Sequence, residues 1–334
     1  MRIVVTGGAG FIGSNFVRKL LQDSYPDFAG CEVVVLDALT YSGTLTNLTE
    51  WLGNERLTIV EGDIRDRVKV DETISGSDLV VHFAAESHVD RSVLDASVFV
   101  ETNVLGTQIL LDAALRHGVK RFLHVSTDEV YGSIETGSWD EQEPLLPNSP
   151  YAASKAASDL VVRSYFRTHG LDTVTTRCSN NYGTHQFPEK VIPLFVTNLI
   201  DGLSVPLYGD GLNARDWLHV DDHCRGIALA LSKGKSGEVY NIGGGTELTN
   251  KELTEILLKA TGADWSAVNF VEDRKGHDRR YSVDIGKSTR DLGYRPEVDF
   301  AEGLAATVDW YRNNRAWWEP LKARATLGLS LIHI

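Results

Sequence analysis

Thr127, Asp128 and Glu129 stand in a row within the run Ser126-Thr-Asp-Glu-Val-Tyr-Gly132. Two carboxyls that close cannot both ionise easily, so one can keep its proton. A protonated and an ionised carboxyl side by side suit the elimination of water. One removes a proton from carbon while the other protonates the departing hydroxyl. An arbitrary Asp-Glu pair is more often a solvated acidic turn, so its neighbours decide its meaning. Tyr151 and Lys155 follow Pro150 at a spacing of four. On a helix that spacing puts both on one face, one turn apart. Free tyrosine, with a pKa of ~10, is a poor base at neutral pH. A nearby ammonium favours its phenolate.

The run Thr6-Gly7-Gly8-Ala9-Gly10-Phe11-Ile12-Gly13 joins a first strand to a first helix. Its glycines permit a tight turn and close approach of the backbone to a pyrophosphate, which a helix N-terminus stabilises. A glycine turn alone is weak evidence; its place at the first strand–helix junction makes it strong. Asp37 ends the second strand, 24 positions after Gly13, at the spacing of an acid that takes the adenosine ribose hydroxyls. It repels a 2′-phosphate, so the sequence favours NAD over NADP. The positive nicotinamide ring would add to Lys155 in stabilising a Tyr151 phenolate, and Lys155 can also bond the nicotinamide ribose. Asp63-Ile64 is placed to flank the adenine. Phe83-Ala84-Ala85 offers small residues where the cofactor lies close.

These residues need a frame. Strands are expected at Arg2–Thr6, Glu32–Asp37, Leu57–Glu61, Leu79–Ala84, Arg121–Ser126 and Thr173–Cys178, with helices between them. Their nearly continuous apolar runs fit strands covered on both faces. The alternation predicts a doubly wound Rossmann-type parallel sheet with a smaller, mixed α/β C-terminal substrate lobe. The cofactor domain is expected over 1–178, rejoined by a strand at Glu238–Ile242, and the substrate lobe over 179–334. Residues 327–334 follow no periodic element and receive no function.

The chain has 334 residues and a formal net charge of −13. That charge argues against nucleic acid as a partner, and an anionic small substrate then needs a local basic cluster. Lys190, Arg215, Arg274, Arg279 and Arg280, with His277, supply candidates. No apolar run approaches the ~20 residues of a membrane span, and the N-terminus lacks the features of a signal peptide. Cys31, Cys178 and Cys224 fit neither a disulfide framework nor a metal site. Buried thiols in a reducing cytoplasm are the expectation. His82, His88, His117, His124, His185, His219 and His223 form no triad or metal spacing. Trp217, Trp317 and Trp318 read as packing residues.

The chain resembles the extended short-chain dehydrogenases of the sugar-nucleotide epimerase/dehydratase family, most closely the dTDP-glucose 4,6-dehydratase branch. The motifs are TGGAGFIGSNFV, LDALTYSGTLTNL, FAAESHVDRS, STDEVYG, SPYAASKAASD, SNNYGTHQFPEKVIPL, PLYGDGLNARDWLHVDDH, YNIGGGTELTN and DRKGHDRRYSVD. Together they run through nearly the whole chain. The resemblance implies catalysis by Thr127, Asp128, Glu129, Tyr151 and Lys155. NAD, tightly held and regenerated each turnover, would be bound by Gly7, Gly10, Phe11, Ile12, Gly13, Asp37, Leu39, Thr40, Asp63, Ile64, Phe83, Ala84, Ala85, Thr102, Tyr151, Lys155 and Asn181. The nucleotide sugar would meet Ser87, Thr127, Asn180, Lys190, Val191, Pro206, Tyr208, Arg215, Asn250, Arg274, His277 and Tyr281.

By the same resemblance, Thr127 holds the sugar 4-hydroxyl and Tyr151 removes its proton as C4 is oxidised. Glu129 then takes the C5 proton and protonated Asp128 donates to the C6 hydroxyl, before C6 is reduced. The product would be the 4-keto-6-deoxy sugar. The resemblance further implies a homodimer through helices near Val89–Arg116 and Tyr151–His169. Three alternatives stay open: a 4-epimerase, a dehydratase for another nucleotide base, and an NAD-binding sensor without catalysis.

Overall fold

The computed structural model describes residues 1–330, with side chains through Ala325. In chain order its strands are β1 (Arg2–Thr6), β2 (Glu32–Asp37), β3 (Leu57–Glu61), β4 (Leu79–His82), β5 (Arg121–Thr127), β6 (Thr173–Cys178), β7 (Asn180–Tyr182), β8 (Val205–Tyr208), β9 (Ala214–His219), β10 (Val239–Ile242), β11 (Glu247–Thr249) and β12 (Val268–Val271). Seven of them form one sheet in the order β10-β6-β5-β4-β1-β2-β3, and all its neighbours are parallel. The strand order reverses between β1 and β4, which opens a crevice at their carboxyl ends.

Alternate side chains of each strand point to opposite faces. Ile3, Val5, Val33 and Val35 pack with the helices Phe11–Leu21 and Val220–Lys233. Val4, Val34 and Leu36 pack with Arg67–Ile74, Thr107–Arg116 and Pro150–His169. The doubly wound class is therefore as expected, and β10 does rejoin the sheet beside β6, pairing Val239 with Thr175. The fourth strand is shorter than its apolar run suggests. It ends at His82 because the chain beyond turns onto the first strand's end, where Ala84 N donates to Thr6 Oγ1 at 3.3 Å.

The smaller lobe holds a mixed three-stranded sheet, β11-β9-β7, and the parallel pair β12-β8. Its own core gathers Ile192, Phe195, Trp217, Leu257, Val308 and Trp318. Trp318 is buried, with Nε1 donating to Tyr311 O at 2.7 Å, so its packing role is as expected. The helix Arg315–Ser330 continues through the first of the residues to which the sequence assigned no periodic element. Residues 331–334 lie outside the described ones.

One sequence expectation needs correction. The helical stretch Ser97–Arg116 is long and apolar enough to cross a membrane by length and composition, but half of it is buried in the fold. Its apolar side, including Ile109, Leu110 and Ala113, covers the sheet.

Candidate active site

A cavity of about 350 Å³ lies at the carboxyl ends of the central strands. Its floor begins with the glycine turn. Gly7 has φ +70°, and a Cβ there would lie 2.6 Å from Ala84 N. A Cβ on Gly13 would lie 2.2 Å from Gly7 O, so only glycine lets the helix start this close to the turn. Gly10 lines the cavity, and a Cβ on it would meet only Gly7 O, at 3.3 Å. The backbone at the helix start is thus open to a pyrophosphate.

Asp37 sits at the end of β2 with both carboxylate oxygens held. Oδ2 accepts from Ala9 N and Oδ1 from Leu39 N, each at 2.9 Å. Burial pushes its pKa up against those two hydrogen bonds. Arg65, a cation on the same wall, is taken up by Asp63 at 2.7 Å and Glu101 at 3.0 Å. It therefore offers no uncompensated charge to a 2′-phosphate. A glycine cradle, an acid at the ribose position and a neutralised arginine fit NAD rather than NADP.

The expected catalytic residues lie further along the crevice. Ser149 caps the helix Pro150–His169 by accepting from Ala152 N at 3.1 Å, and Pro150 occupies its first turn. Tyr151 is fixed at the start of that helix against Phe99, whose ring stands edge-on with centroids 6.3 Å apart. Lys155, one turn on, donates from Nζ to Val125 O at 2.8 Å. Burial lowers Lys155 to about 8. Burial also pushes the Tyr151 phenol well above its usual range, and Glu129 adds to that. Desolvation is the largest influence on this phenol, ahead of the repulsion from Glu129.

Thr127 ends β5 and caps the short turn Asp128–Tyr131, accepting from Glu129 N at 3.3 Å. That turn aims both carboxyls inward. Asp128 Oδ2 and Glu129 Oε2 are buried without a hydrogen-bond partner in the chain. Burial raises both acids, but not alike. Asp128 is pushed well up, with Glu129 and then Asp216 adding repulsion. Glu129 is raised by burial but opposed by the charges of Arg274, Lys190 and Arg215. The pair is polarised: Asp128 keeps a proton more readily and Glu129 ionises more readily.

The basic side of the site is only part of the expected cluster. Lys190 Nζ donates to Ser87 O at 2.7 Å. Arg215 is buried, lies 4.2 Å over the Tyr281 ring and donates to Asp278 O at 2.9 Å. Arg274 faces Asp90 at 3.6 Å, and its Nε is buried without a partner in the chain. Arg279 and Arg280 instead pair with Asp210 and Glu247 on the surface. His277 Nδ1 lies 2.6 Å from Asp273 Oδ1, and Tyr281 donates to Asp278 Oδ2 at 2.6 Å.

The cavity wall brings together all five expected catalytic residues and every expected cofactor residue except Leu39. Leu39 supports the wall from behind, in left-handed backbone at φ +49°, through its N–H to Asp37. Of the expected substrate residues, Ser87, Thr127, Asn180, Lys190 and Val191 line this cavity; Pro206, Tyr208, Arg215, Asn250, Arg274, His277 and Tyr281 do not. Asn181 is on the wall, yet its amide is already engaged by Ser179 O and His223. Sequence reasoning missed Tyr41, Glu86, Gln186, Phe187 and Glu189, which also line the cavity. Glu189 pairs with Arg91 at 2.9 Å and approaches His88 at 3.8 Å. Trp217 lines the cavity and belongs to the lobe core as well, so its packing role is not its whole setting.

Comparison with known proteins agrees with this geometry. A family model described as GDP-mannose 4,6 dehydratase matches residues 4–307. A dTDP-glucose 4,6-dehydratase from Streptomyces antibioticus is 63% identical over 325 residues, 97% of this chain and 96% of that protein. The structure of a dTDP-glucose 4,6-dehydratase from Streptomyces venezuelae with NAD and TYD bound superposes with a TM-score of 0.95. It is 65% identical over 96% of this chain and 100% of that one. A UDP-glucose 4-epimerase from Thermotoga maritima, with UDP-glucose, has the same fold with a TM-score of 0.86 but is 34% identical, over 94% of this chain and 100% of that one. The fold is thus shared with epimerases, while the sequence sides with the dehydratases. The chain belongs to the nucleotide-sugar 4,6-dehydratase family, on the branch of the dTDP-glucose 4,6-dehydratases.

Proposed function

We propose that this chain is an NAD-dependent hydro-lyase that converts dTDP-glucose to its 4-keto-6-deoxy product. The observation that carries the reading is the adjacent Asp128–Glu129 pair, buried with an unpartnered oxygen on each acid in one cavity with Tyr151 and the glycine turn. A plain dehydrogenase or a 4-epimerase needs no such pair. When bound, NAD accepts hydride from C4 and returns it to C6, which makes the C5 hydrogen acidic in between. Gly7, Gly10, Gly13 and Asp37 hold its pyrophosphate and ribose, and Lys155 orients its nicotinamide end.

Thr127 positions the 4-hydroxyl and Tyr151 takes its proton. Glu129, biased towards ionisation by the nearby cations, removes the C5 proton. Asp128, biased towards the neutral acid, protonates the C6 hydroxyl as it leaves. Lys190, Arg215 and Arg274 hold the phosphates, where a guanidinium meets two oxygens at once. Ser87, Asn180, Val191, Pro206, Tyr208, Asn250, His277 and Tyr281 complete the sugar and base contacts.

The cofactor half is 1–178 with β10, and the substrate half is mainly 179–334. Val93, Leu94, Val100, Leu105 and Leu160 are exposed on the helices that cover one sheet face. They support a homodimer through that face, with the cytoplasm as the setting for three buried free thiols.

Proton NMR of the protein with dTDP-glucose in deuterated water tests the reaction. A new C6 methyl signal with solvent deuterium at C5 is expected. Conversion to the galactose epimer would overturn the role given to the carboxyl pair, and substrate left unchanged with NAD present would point to another base.

A further inference from the structure

The helix Arg315–Ser330 belongs to the substrate lobe by sequence, yet part of its inner face lies on the cofactor side. Trp317 Nε1 donates to Asn47 Oδ1 at 3.1 Å. An indole N–H can only donate, so it fixes which way the Asn47 amide points. The other end of that amide, Nδ2, then donates to Ala9 O at 2.9 Å. Ala9 is the middle of the glycine turn. Its carbonyl also accepts from Thr44 N at 3.0 Å, and its N–H donates to Asp37 Oδ2 at 2.9 Å. Asn47 is buried, and its own carbonyl accepts from Arg18 Nη1 at 2.8 Å.

A second contact joins the same helix to the cavity wall. Leu321 and Ala325 are buried in a small cluster with Phe187, against which Tyr41 and Trp317 pack. Tyr41 and Phe187 line the cavity, edge to face with centroids 5.7 Å apart. Tyr41 is further clamped by Arg91, 4.0 Å above its ring. The loop after Asp37 is thus pinned at two points by residues far away in sequence: Asn47 from Trp317, and Tyr41 from Leu321 by way of Phe187.

We infer that Trp317 and Leu321 are positioning residues that hold the glycine turn and the loop after Asp37 closed around NAD, and so slow its release. The inference rests on the reading of this cavity as an NAD site. Its chemical sense follows from the reaction: a cofactor that ends each turnover as it began has no need to leave. Neither side chain lines the cavity, so each acts through Asn47, Tyr41 or Phe187.

The test uses holoenzyme with Trp317→Phe, Trp317→Ala and Leu321→Ala. NAD per chain is measured after desalting, and exchange of bound NAD is followed with isotopically labelled NAD. Trp317→Phe keeps an aromatic ring and removes only the N–H, so it guards against loss of folding. One hydrogen bond corresponds to exchange roughly three- to tenfold faster in Trp317→Phe. Faster exchange still is expected in Trp317→Ala and Leu321→Ala, with turnover regained when NAD is added in excess. Exchange as slow as wild type in both Trp317 variants would overturn the inference. So would turnover that stays low at saturating NAD with exchange unchanged. Wild-type protein that takes up no NAD would instead overturn the reading of the cavity itself.

Discussion

Two buried acidic sites stand close together and behave in opposite ways. Asp128 and Glu129, after β5, have carboxylate oxygens without hydrogen-bond partners and are pushed up by burial. Asp159, two turns beyond Tyr151 on the same helix, is equally shut from water. Burial raises it too, but the Arg177 charge and a His124 hydrogen bond hold it at about 2. Its Oδ2 lies 2.9 Å from Arg177 Nε, and His124 Nε2 lies 3.2 Å from Oδ1. Burial takes His124 down to about 4, so it is neutral at pH 7 and the arginine supplies the charge. Arg177 also donates to the Tyr131 hydroxyl, which donates to Asn241. Burial is common to both sites; the partner decides the sign. One site is a charge-paired network that ties the strand to the helix through Arg177 and His124. The other leaves Asp128 Oδ2 and Glu129 Oε2 without a partner in the chain, as the proposed proton transfers require.

The sharpest way to break this contrast is to neutralise the reactive pair. Glu129→Gln and Asp128→Asn should each lower turnover by roughly 10²–10⁴, the scale of lost acid–base catalysis. Cofactor reduction at C4, seen by stopped-flow absorbance, should survive better than product formation. Equal loss of both steps would mean that the carboxyls only shape the site.

Asp159→Asn is the matching change in the paired network. It leaves Arg177 buried against a neutral amide and should cost about 3–5 kcal/mol in urea unfolding. A benign result would show that the pair contributes little. The linkage of Asp159 to pH runs the same way. Its folded value of about 2 lies below the ordinary 3.8. Its stabilisation is therefore complete above pH 3.8 and is lost as pH falls towards 2, by roughly 2 kcal/mol. Stability curves of wild type and Asp159→Asn should converge in that window.

Smaller effects sharpen the role split. Arg274 is the cation that most opposes the rise of Glu129. Arg274→Gln should raise the pKa of Glu129 and move the acid limb of the kcat/KM profile to higher pH. A limb that stays put would take Glu129 out of the base role. The smallest change is expected in the stability of Asp128→Asn. Removing a buried, unpaired acid should leave unfolding unchanged or raise stability by about 1 kcal/mol, opposite in sign to Asp159→Asn.

The parts legible in the sequence are those where local pattern and function coincide. Apolar runs bounded β1 and β2 to the residue, because strands covered on both faces have no polar alternation to blur their ends. Gly7–Gly13, Asp37 and Thr127–Glu129 were readable because each lies at a strand end, and Tyr151–Lys155 because Ser149 and Pro150 mark the start of its helix. Arg279 and Arg280 show where this stopped. Next to Arg274 in sequence, they turn outward to Asp210 and Glu247, and nothing local distinguishes them. Tyr41, Phe187 and Glu189 were passed over because each reaches the wall from a long loop or from another lobe.

By itself, then, the sequence determined the layered sheet, the cofactor turn and the identity of the acids, since strand period, glycine stereochemistry and residue type are local properties. Only the tertiary structure decided which charges surround each acid and which of the arginines turn outward, because desolvation and charge pairing depend on what packs around a group. It alone joined Trp317 to Ala9 through Asn47, a link between the end of the chain and its first turn.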